Sequence, residues 1–546
     1  MDTVEFDPTA FMPRRLRVVV IGAGISGIQI AHDLTSRMRN IDLEIYDKKA
    51  PAALGSRIGT QGTVHLACEH FDPSQRCACD VPAHGYQYSW APNPRWSTLY
   101  ASAPEIRAYL DSVIADHGVA KYIRHQQRCV SATWDERNSV WIATFKHEST
   151  QEETVVEADV LVYAVGRLNN YKVPDFDGRA GFRGTICHTA SWPEGLVVSG
   201  KRVAVLGNGS SGMQCVGALQ YEAAELFNFC QSPTWAGPGL FDDNKKFTEE
   251  EKLEFANNPD VYHKYRIQLE RRIASGFRVL WKNTPAHHEM RERVESYYDH
   301  RLEDPNLRKM LRPDFAPACR RWTIGDSYIE AMQQQHVHLV QDHVASLTET
   351  GVRTCSGEEY DCDVVVCATG FEPYASRFPV IGRGGISLNN CWGPQSDCES
   401  YMASMVAGFP NFFVFHPPLC PVNGSVIPGI ERTSDYIIRI LTRLQTDCLR
   451  SVSVKPKAQH DFVRWAQSCM PDMPWSDSCS SWWRVVVPWP GTNHHYYAAT
   501  EIVRWEDFDL CFEDPAQKYA SFGNGVTEDG FAPGFIPWVL KPEGSE

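Results

Sequence analysis

Apolar runs of strand length alternate with stretches of helical period along most of the chain. Leu16 to Ile21 is a β-branched run, long enough for a buried parallel strand and too short for a helix. Gly22, Gly24 and Gly27 follow it, and Ile28, Ala31 and Leu34 then recur at helical spacing. The pattern predicts a strand, a tight turn and a helix. It returns in residues 201–214, KRVAVLGNGSSGMQ, where an apolar run leads into Gly207, Gly209 and Gly212. Leu43 to Tyr46, Val160 to Gly166, Leu226 to Phe229 and Val364 to Thr369 read as further buried strands. Between Trp235 and Arg312 the composition changes to dense charge with little β-branching. There Tyr262, Tyr265, Leu269, Ile273, Phe277 and Leu280 are spaced by three and four, as on an amphipathic helix.

Strand, glycine turn and helix in succession form a phosphate-binding device. The first glycine permits the turn, the second lets a pyrophosphate approach the backbone, and the third packs helix on strand. The phosphate then meets free N–H groups at a helix N-terminus. Asp47 ends the strand after the first loop, where a carboxylate bonds an adenosine ribose. The two loops are too distant along the chain to serve one dinucleotide, so they predict two, typically a flavin and a nicotinamide. After the second loop, Leu226 to Phe229 runs into Cys230, Gln231 and Ser232 with no acid. That leaves room for a 2′-phosphate and favours NADPH over NADH.

Composition bounds the rest. The 546 residues are 43% apolar, enough for several buried cores, and 53 basic against 67 acidic residues give a net charge of −14. Such a balance, with no Lys/Arg-rich block, argues against nucleic acid as a partner. No run approaches the roughly 20 apolar residues of a membrane span, and Met1 to Arg15 lacks the apolar centre of a signal peptide. The expectation is a cytoplasmic protein with no obligate protein partner. The 18 cysteines are scattered, and a chain of this size needs no disulfide staples. No metal site is expected: His287, His288 and Glu289 open like a zinc helix, but Glu292 leaves HExxH incomplete, and Cys77 with Cys79 supplies too few ligands. Asn208 and Asn423 begin formal glycosylation sequons, the first inside a cofactor loop.

The most specific pattern lies between the two loops. Residues 182–193, FRGTICHTASWP, place Phe182, Gly184, His188, Trp192 and Pro193 in the order FxGxxxHxxxWP. This resembles the signature of type I Baeyer–Villiger monooxygenases. Related flavin monooxygenases share its first part and usually carry another aromatic where this chain has Trp192. Residues 79–110, PDFAPACRR at 313–321 and GFPNFF at 408–413 are similar to further segments of that family. WPGTNHHY at 489–496 and SFGNGVT at 521–527 resemble its fungal secondary-metabolite members, so the likeness runs from about Arg17 to Thr527.

The resemblance implies FAD reduced by NADPH, O2 taken up by the reduced flavin, and one oxygen atom inserted beside a ketone carbonyl to give an ester or lactone. It puts Arg321 at the family's active-site arginine, a permanent cation for an anionic oxygen adduct, with Asp80 as its partner. By the same likeness Thr63, Asp80, Val81, Tyr86 and Val130 contact the flavin, with Gly22, Gly24, Gly27 and Asp47 in its loop. Gly207, Asn208, Gly209, Ser210, Ser211 and Gly212 form the NADPH loop, Ser232 and Arg320 approach the adenosine phosphate, and His188 belongs to a linker between domains. Taken singly, each has a plainer reading: Asp80 as a turn residue, the arginines as a solvated pair, His188 and Trp192 as core.

The expected fold class is α/β, with two Rossmann-like domains and the NADPH domain inserted in the FAD domain. The FAD domain would take 1–173 and 360–546, the latter with a C-terminal cleft segment, and the NADPH domain 174–359 with a helical insertion near 236–312. Trp482 to Pro490 is a candidate cleft wall. Three positions depart from the family pattern: Val64 for a tryptophan after Gly62 and Thr63, Gln231 for an arginine, and Arg167 for a glutamine. Two other functions stay open on the sequence. One is a flavin monooxygenase hydroxylating carbon or oxidising nitrogen or sulfur; the other is a flavoprotein that binds without redox chemistry.

Overall fold

The computed structural model describes residues 10–50, 78–193, 195–239, 245–373, 376–393, 396, 398–479, 481, 488–514, 516 and 518–526. Two five-stranded sheets, each wholly parallel, organise the chain. The first runs in the order Phe412–Val414, Val160–Tyr163, Leu16–Ile21, Ile41–Tyr46, Ile123–Arg124. The second runs Val337–Val340, Glu225–Phe229, Arg202–Leu206, Val364–Cys367, Thr185–His188. Val160–Tyr163 and Val364–Cys367 are buried at every position, as expected of parallel strands covered on both faces. In each sheet the central strand feeds a glycine loop, so each loop opens at the point where strand order reverses. Ligands of open α/β sheets bind at such points.

The fold is the expected α/β class, but one strand lies in the other sheet. The apolar run Val364–Cys367 falls past residue 359, where the sequence places a return to the first domain. It pairs with Arg202–Leu206 and Thr185–His188, so the second sheet continues beyond that boundary. A four-residue apolar run announces burial and carries no information about which sheet it joins.

The chain crosses between the sheets twice, and the two crossings pair with each other. Lys172 donates its N–H to the Gly370 carbonyl (3.0 Å), and Glu372 donates to the Asn170 carbonyl (2.8 Å). His188, at the end of its strand, stacks on Tyr171 at 4.7 Å and meets Phe371 edge-on. A four-stranded sheet, Val380–Ile381 with Gln127–Asp135, Val140–His147 and Glu153–Ala158, packs beside the first parallel sheet.

The charged stretch after Trp235 is helical over Glu249–Asn257, Pro259–Ser275, Pro285–Arg301 and Pro305–Leu311. Thr248 and Glu251 form a reciprocal capping box at the first of these. Tyr262, Leu269 and Ile273 are buried along one face of Pro259–Ser275, and the chain tightens into a 3-10 turn at Gly276–Leu280, burying Phe277.

One covalent feature runs against the sequence reading. Cys319 and Cys479, separated by 160 residues, form a disulfide within the core of the second sheet. Cysteine number and spacing do not disclose which pairs a fold brings together. Among the described residues no helix is long and apolar enough to cross a membrane, and no cluster of His, Cys, Asp and Glu could hold a metal ion.

Candidate active site and cofactor clefts

The first loop leaves Leu16–Ile21 and turns at Gly22, whose φ is +106°. A Cβ there would come within 2.5 Å of the Ala164 carbonyl oxygen, so only glycine fits. The helix Ile25–Arg37 starts at Gly24 without any side-chain cap, which leaves its first N–H groups available to an anion. Gly27 packs directly over Gly22. Asp47 accepts the N–H of Ala23 through Oδ2 and that of Lys49 through Oδ1, both at 2.8 Å. These bonds fix the carboxylate in the cleft wall with lone pairs to spare for a ribose.

A groove opens from this loop, lined by Gly22–Ser26, Asp47, Gln127–Cys129 and Arg377. Val130 is next along the strand from that wall, at a β-bulge between Cys129 and Ser131. Arg377 was not among the sequence candidates. Its guanidinium donates to the carbonyls of Arg167 (2.6 Å) and Glu372 (3.0 Å), and burial lowers its pKa. Arg167 is buried and turned to the carbonyls of His416 and Pro417, holding the wall. The glycine cradle, the uncapped helix start and the ribose-directed acid suit a dinucleotide such as FAD.

The second loop repeats the first. Gly207 has φ +111°, and a Cβ there would sit 2.7 Å from the Ala368 carbonyl oxygen. Gly212 packs over Gly207, and the helix Ser210–Leu219 again starts at an uncapped glycine, Gly209. Ser211 follows half-buried on that first turn, and Ser210 hydrogen-bonds Thr323 at 2.7 Å. Asn208 donates to the Ser232 carbonyl at 3.1 Å and so ties the loop to the segment after Glu225–Phe229. Here the ribose end is cationic: Arg320 donates to Thr234 Oγ1 (2.6 Å) and Ser232 Oγ (2.8 Å). Burial lowers the Arg320 pKa, its Nε is buried without a partner, and its guanidinium stands 5.2 Å from the Phe315 ring centroid. A half-buried cation with a spare donor and two hydroxyls suits a phosphate monoester. Thr234 was missed because a threonine two residues past a serine carries no motif.

Arg321 reaches across to the first half of the molecule. Its Nε and Nη2 each lie 2.9 Å from Asp80 Oδ2, with both side chains largely buried. Asp80 Oδ1 is buried and has no protein partner, so the pair keeps an open acceptor. Val81 and Tyr86 are buried in the core behind Asp80, and Cys79 precedes it with its thiol pushed up by burial. Adjacent arginines thus face different partners, Arg320 Ser232 and Thr234, and Arg321 Asp80. The disulfide half Cys319 comes immediately before them.

His188 accepts the Ala190 N–H at Nδ1 (3.0 Å), and burial drops its pKa to about 4, so it stays neutral near pH 7. Trp192 is buried in the core of the second sheet. Thr63, with Gly62, Val64 and Cys77, lies outside the described residues, as do residues 482–487 of the candidate wall. Trp489, within that stretch, is core rather than cleft lining: it is buried against Phe462, Trp465 and Tyr496.

A family model for flavin-binding monooxygenase-like proteins matches residues 87–245. The FAD-binding monooxygenase tazF of Aspergillus terreus is 33% identical over 537 residues, covering 94% of this chain and 92% of that protein. The FAD-binding monooxygenase stcW of Emericella nidulans is 32% identical over 536 residues, covering 94% of this chain and 86% of that protein. Among solved structures, an oxidised steroid monooxygenase bound to NADP superposes with a TM-score of 0.76 at 27% identity, covering 91% of this chain and 99% of that one. A cyclohexanone monooxygenase from Rhodococcus shares the fold, with a TM-score of 0.76 at 24% identity over 92% of this chain and 100% of that one. With the glycine cradles and the Asp80–Arg321 pair in place, the length and level of these matches decide the family: the chain belongs to the FAD-binding monooxygenases.

Proposed function

We propose that this enzyme is a Baeyer–Villiger monooxygenase using FAD and NADPH, acting on a ketone in fungal secondary-metabolite biosynthesis. The reaction consumes ketone, O2, NADPH and a proton, and yields an ester or lactone, NADP+ and water. The observation that carries this reading is the largely buried pairing of Arg321 with Asp80, with Arg320 next in the chain turned to Ser232 and Thr234.

Gly22, Gly24, Gly27 and Asp47 hold the FAD end, with Arg377 on the groove wall. Gly207 to Gly212 hold the nicotinamide dinucleotide, and Ser232, Thr234 and Arg320 take its 2′-phosphate. The flavin, reduced by NADPH and reoxidised by O2, supplies the oxygen atom when bound. Arg321 supplies a guanidinium fixed in place by Asp80, so negative charge developing on oxygen is stabilised without reorganisation. Asp80 holds that guanidinium through one oxygen and leaves the other free. His188 is neutral near pH 7 and stacked on Tyr171, and so serves the seam between the sheets.

The test is Arg321→Ala assayed with a panel of cyclic and aryl ketones, the products assigned by NMR. An ester or lactone from the parent enzyme, lost roughly 100- to 1000-fold in the variant, is the expected result. Hydroxylated or N- or S-oxidised products would move the enzyme to the other flavin monooxygenase chemistry. An unchanged rate in the variant would mean that Arg321 does not stabilise the developing charge.

A further inference from the structure

The loop that carries the two arginines is anchored at its back by a segment from elsewhere in the chain. Residues 470–479 follow the helix Pro456–Cys469 and pass from the helical insertion to the core of the second sheet. They engage the helical insertion first. Lys282 donates its N–H to the Asp472 carbonyl (2.8 Å) and its Nζ to Ser476 Oγ (2.7 Å), while Met473 and Trp475 form a small core with Phe277. They then grip the arginine loop at two points. Asp477 Oδ2 accepts the N–H of Ala316 at 2.7 Å, and Cys479 is bonded to Cys319.

The place of these grips gives them consequence. Ala316 and Cys319 are three residues apart, and Arg320 and Arg321 come directly after. Trp235 also bonds the Phe315 carbonyl at 2.8 Å, and the Phe315 ring lies under the Arg320 guanidinium. The backbone before the arginines is thereby held from both sides, and both cysteine residues are buried. Arg320 faces Ser232 and Thr234 while Arg321 faces Asp80, so a shift of this loop moves both contacts together. In an oriented site a displacement of about 1 Å can cost on the order of a hundredfold.

We propose that Cys479 and Asp477 are positioning residues: the disulfide to Cys319 and the bond to Ala316 set the reach of Arg320 toward the nicotinamide dinucleotide and of Arg321 toward Asp80. The proposal rests on the proposed roles of the two arginines, and it adds a covalent strap from the C-terminal part of the chain. The strap can also be opened chemically. A dithiol gives two electrons, the Cys319–Cys479 bond breaks, each sulfur takes a proton, and the dithiol closes to its own disulfide.

The experiment uses the full-length holoenzyme. Maleimide labelling after denaturation without reductant, read by peptide mass, comes first: Cys319 and Cys479 should stay unlabelled until a dithiol is added. Cys479→Ser, Asp477→Ala and Asp477→Asn are then compared for flavin content, NADP+ affinity by flavin absorbance, and the rate of flavin bleaching by NADPH without air. Cys479→Ser and Asp477→Ala should keep their flavin, lose NADP+ affinity about tenfold and bleach more slowly. Asp477→Asn, which keeps an acceptor oxygen, should recover most of the loss. If Cys479→Ser does not fold, the parent enzyme reduced with dithiothreitol and reoxidised should lose and regain NADP+ affinity. Labelling of both cysteines before reduction would overturn the proposal. So would variants that melt earlier but bind NADP+ and bleach as the parent does. None of these readouts needs a ketone, so a failed product assay would count against the Baeyer–Villiger reading alone.

Discussion

At Gly22 the chain turns with φ +106° against the carbonyl of Ala164, and at Gly207 with φ +111° against that of Ala368. Both turns leave the central strand of a parallel sheet, and both open onto a helix whose first N–H groups have no side-chain cap. At the ribose end the two part. The first loop presents Asp47, locked by two backbone N–H groups; the second presents Ser232, Thr234 and the cation Arg320. One backbone device therefore recurs in both sheets, with an acid beside it in the first and two hydroxyls and a cation beside it in the second. An acid suits a free 2′-hydroxyl, and a cation with hydroxyls suits a 2′-phosphate.

The crossed pair Gly22→Ala and Gly207→Ala should break that comparison most visibly. Each Cβ would be forced onto a backbone carbonyl at a φ that alanine rarely adopts, a strain of roughly 1–3 kcal/mol before any steric clash. Gly22→Ala should purify with little or no yellow colour. Gly207→Ala should purify yellow and resist bleaching by NADPH. Flavin absorbance per chain and an anaerobic NADPH titration separate the two outcomes. Equal loss of flavin in both variants would mean that the loops do not divide the cofactors between them.

The seam between the regions gives a smaller, pH-dependent effect. Burial lowers the His188 pKa from an ordinary 6.5 to about 4, so the folded chain takes its proton later than the unfolded chain does. The unfolded state thus binds more protons between those values, and stability falls as pH drops from about 6.5 to about 4. The contribution of His188 is at most about 3 kcal/mol. His84 and His416, in the first region, are pushed down to about 3 and add to the same acid loss. His188→Asn keeps an acceptor for Ala190 and removes the titration. Its melting temperature should change less between pH 7 and pH 4.5 than that of the parent, by a few degrees. An unchanged slope would show that the imidazole is solvated at the seam.

The repeated loops were legible because local chemistry dictates them: a β-branched strand, glycines at fixed spacing, and a helical period. The helix Pro259–Ser275 was legible for the same reason, through Tyr262, Leu269 and Ile273 on one face. What the sequence hid depends on chain distant in sequence. Val364–Cys367 shows its burial in four letters, but its pairing with Arg202–Leu206 is decided by the whole sheet. Thr234 and Arg377 look like ordinary surface chemistry until folding sets them beside Arg320 and the flavin groove. Asp80 and Arg321 were found through family likeness and could not have been paired from spacing. The bond between Cys319 and Cys479 is hidden from the sequence because cysteine counts say nothing about proximity. Closing a loop of 160 residues contributes up to about 5 kcal/mol in the chain-entropy account.

The smallest effect sharpens the second loop's side of the comparison. Gln231 is exposed beside Ser232, at a position where the resemblance leads one to expect an arginine. In this chain the cation beside Ser232 and Thr234 is Arg320. Gln231→Arg adds a second cation on the solvent side of the same spot. An exposed charge pair contributes about 0.2–1 kcal/mol, so NADPH affinity should rise by up to about fivefold. The gain should shrink as salt is added, because exposed charges are screened. NADH affinity should stay as it is, since only the phosphorylated ribose carries the extra charge. A gain shared equally by NADH would put residue 231 against the pyrophosphate, and the division of labour drawn between Asp47 and the Ser232–Thr234–Arg320 group would have to be redrawn.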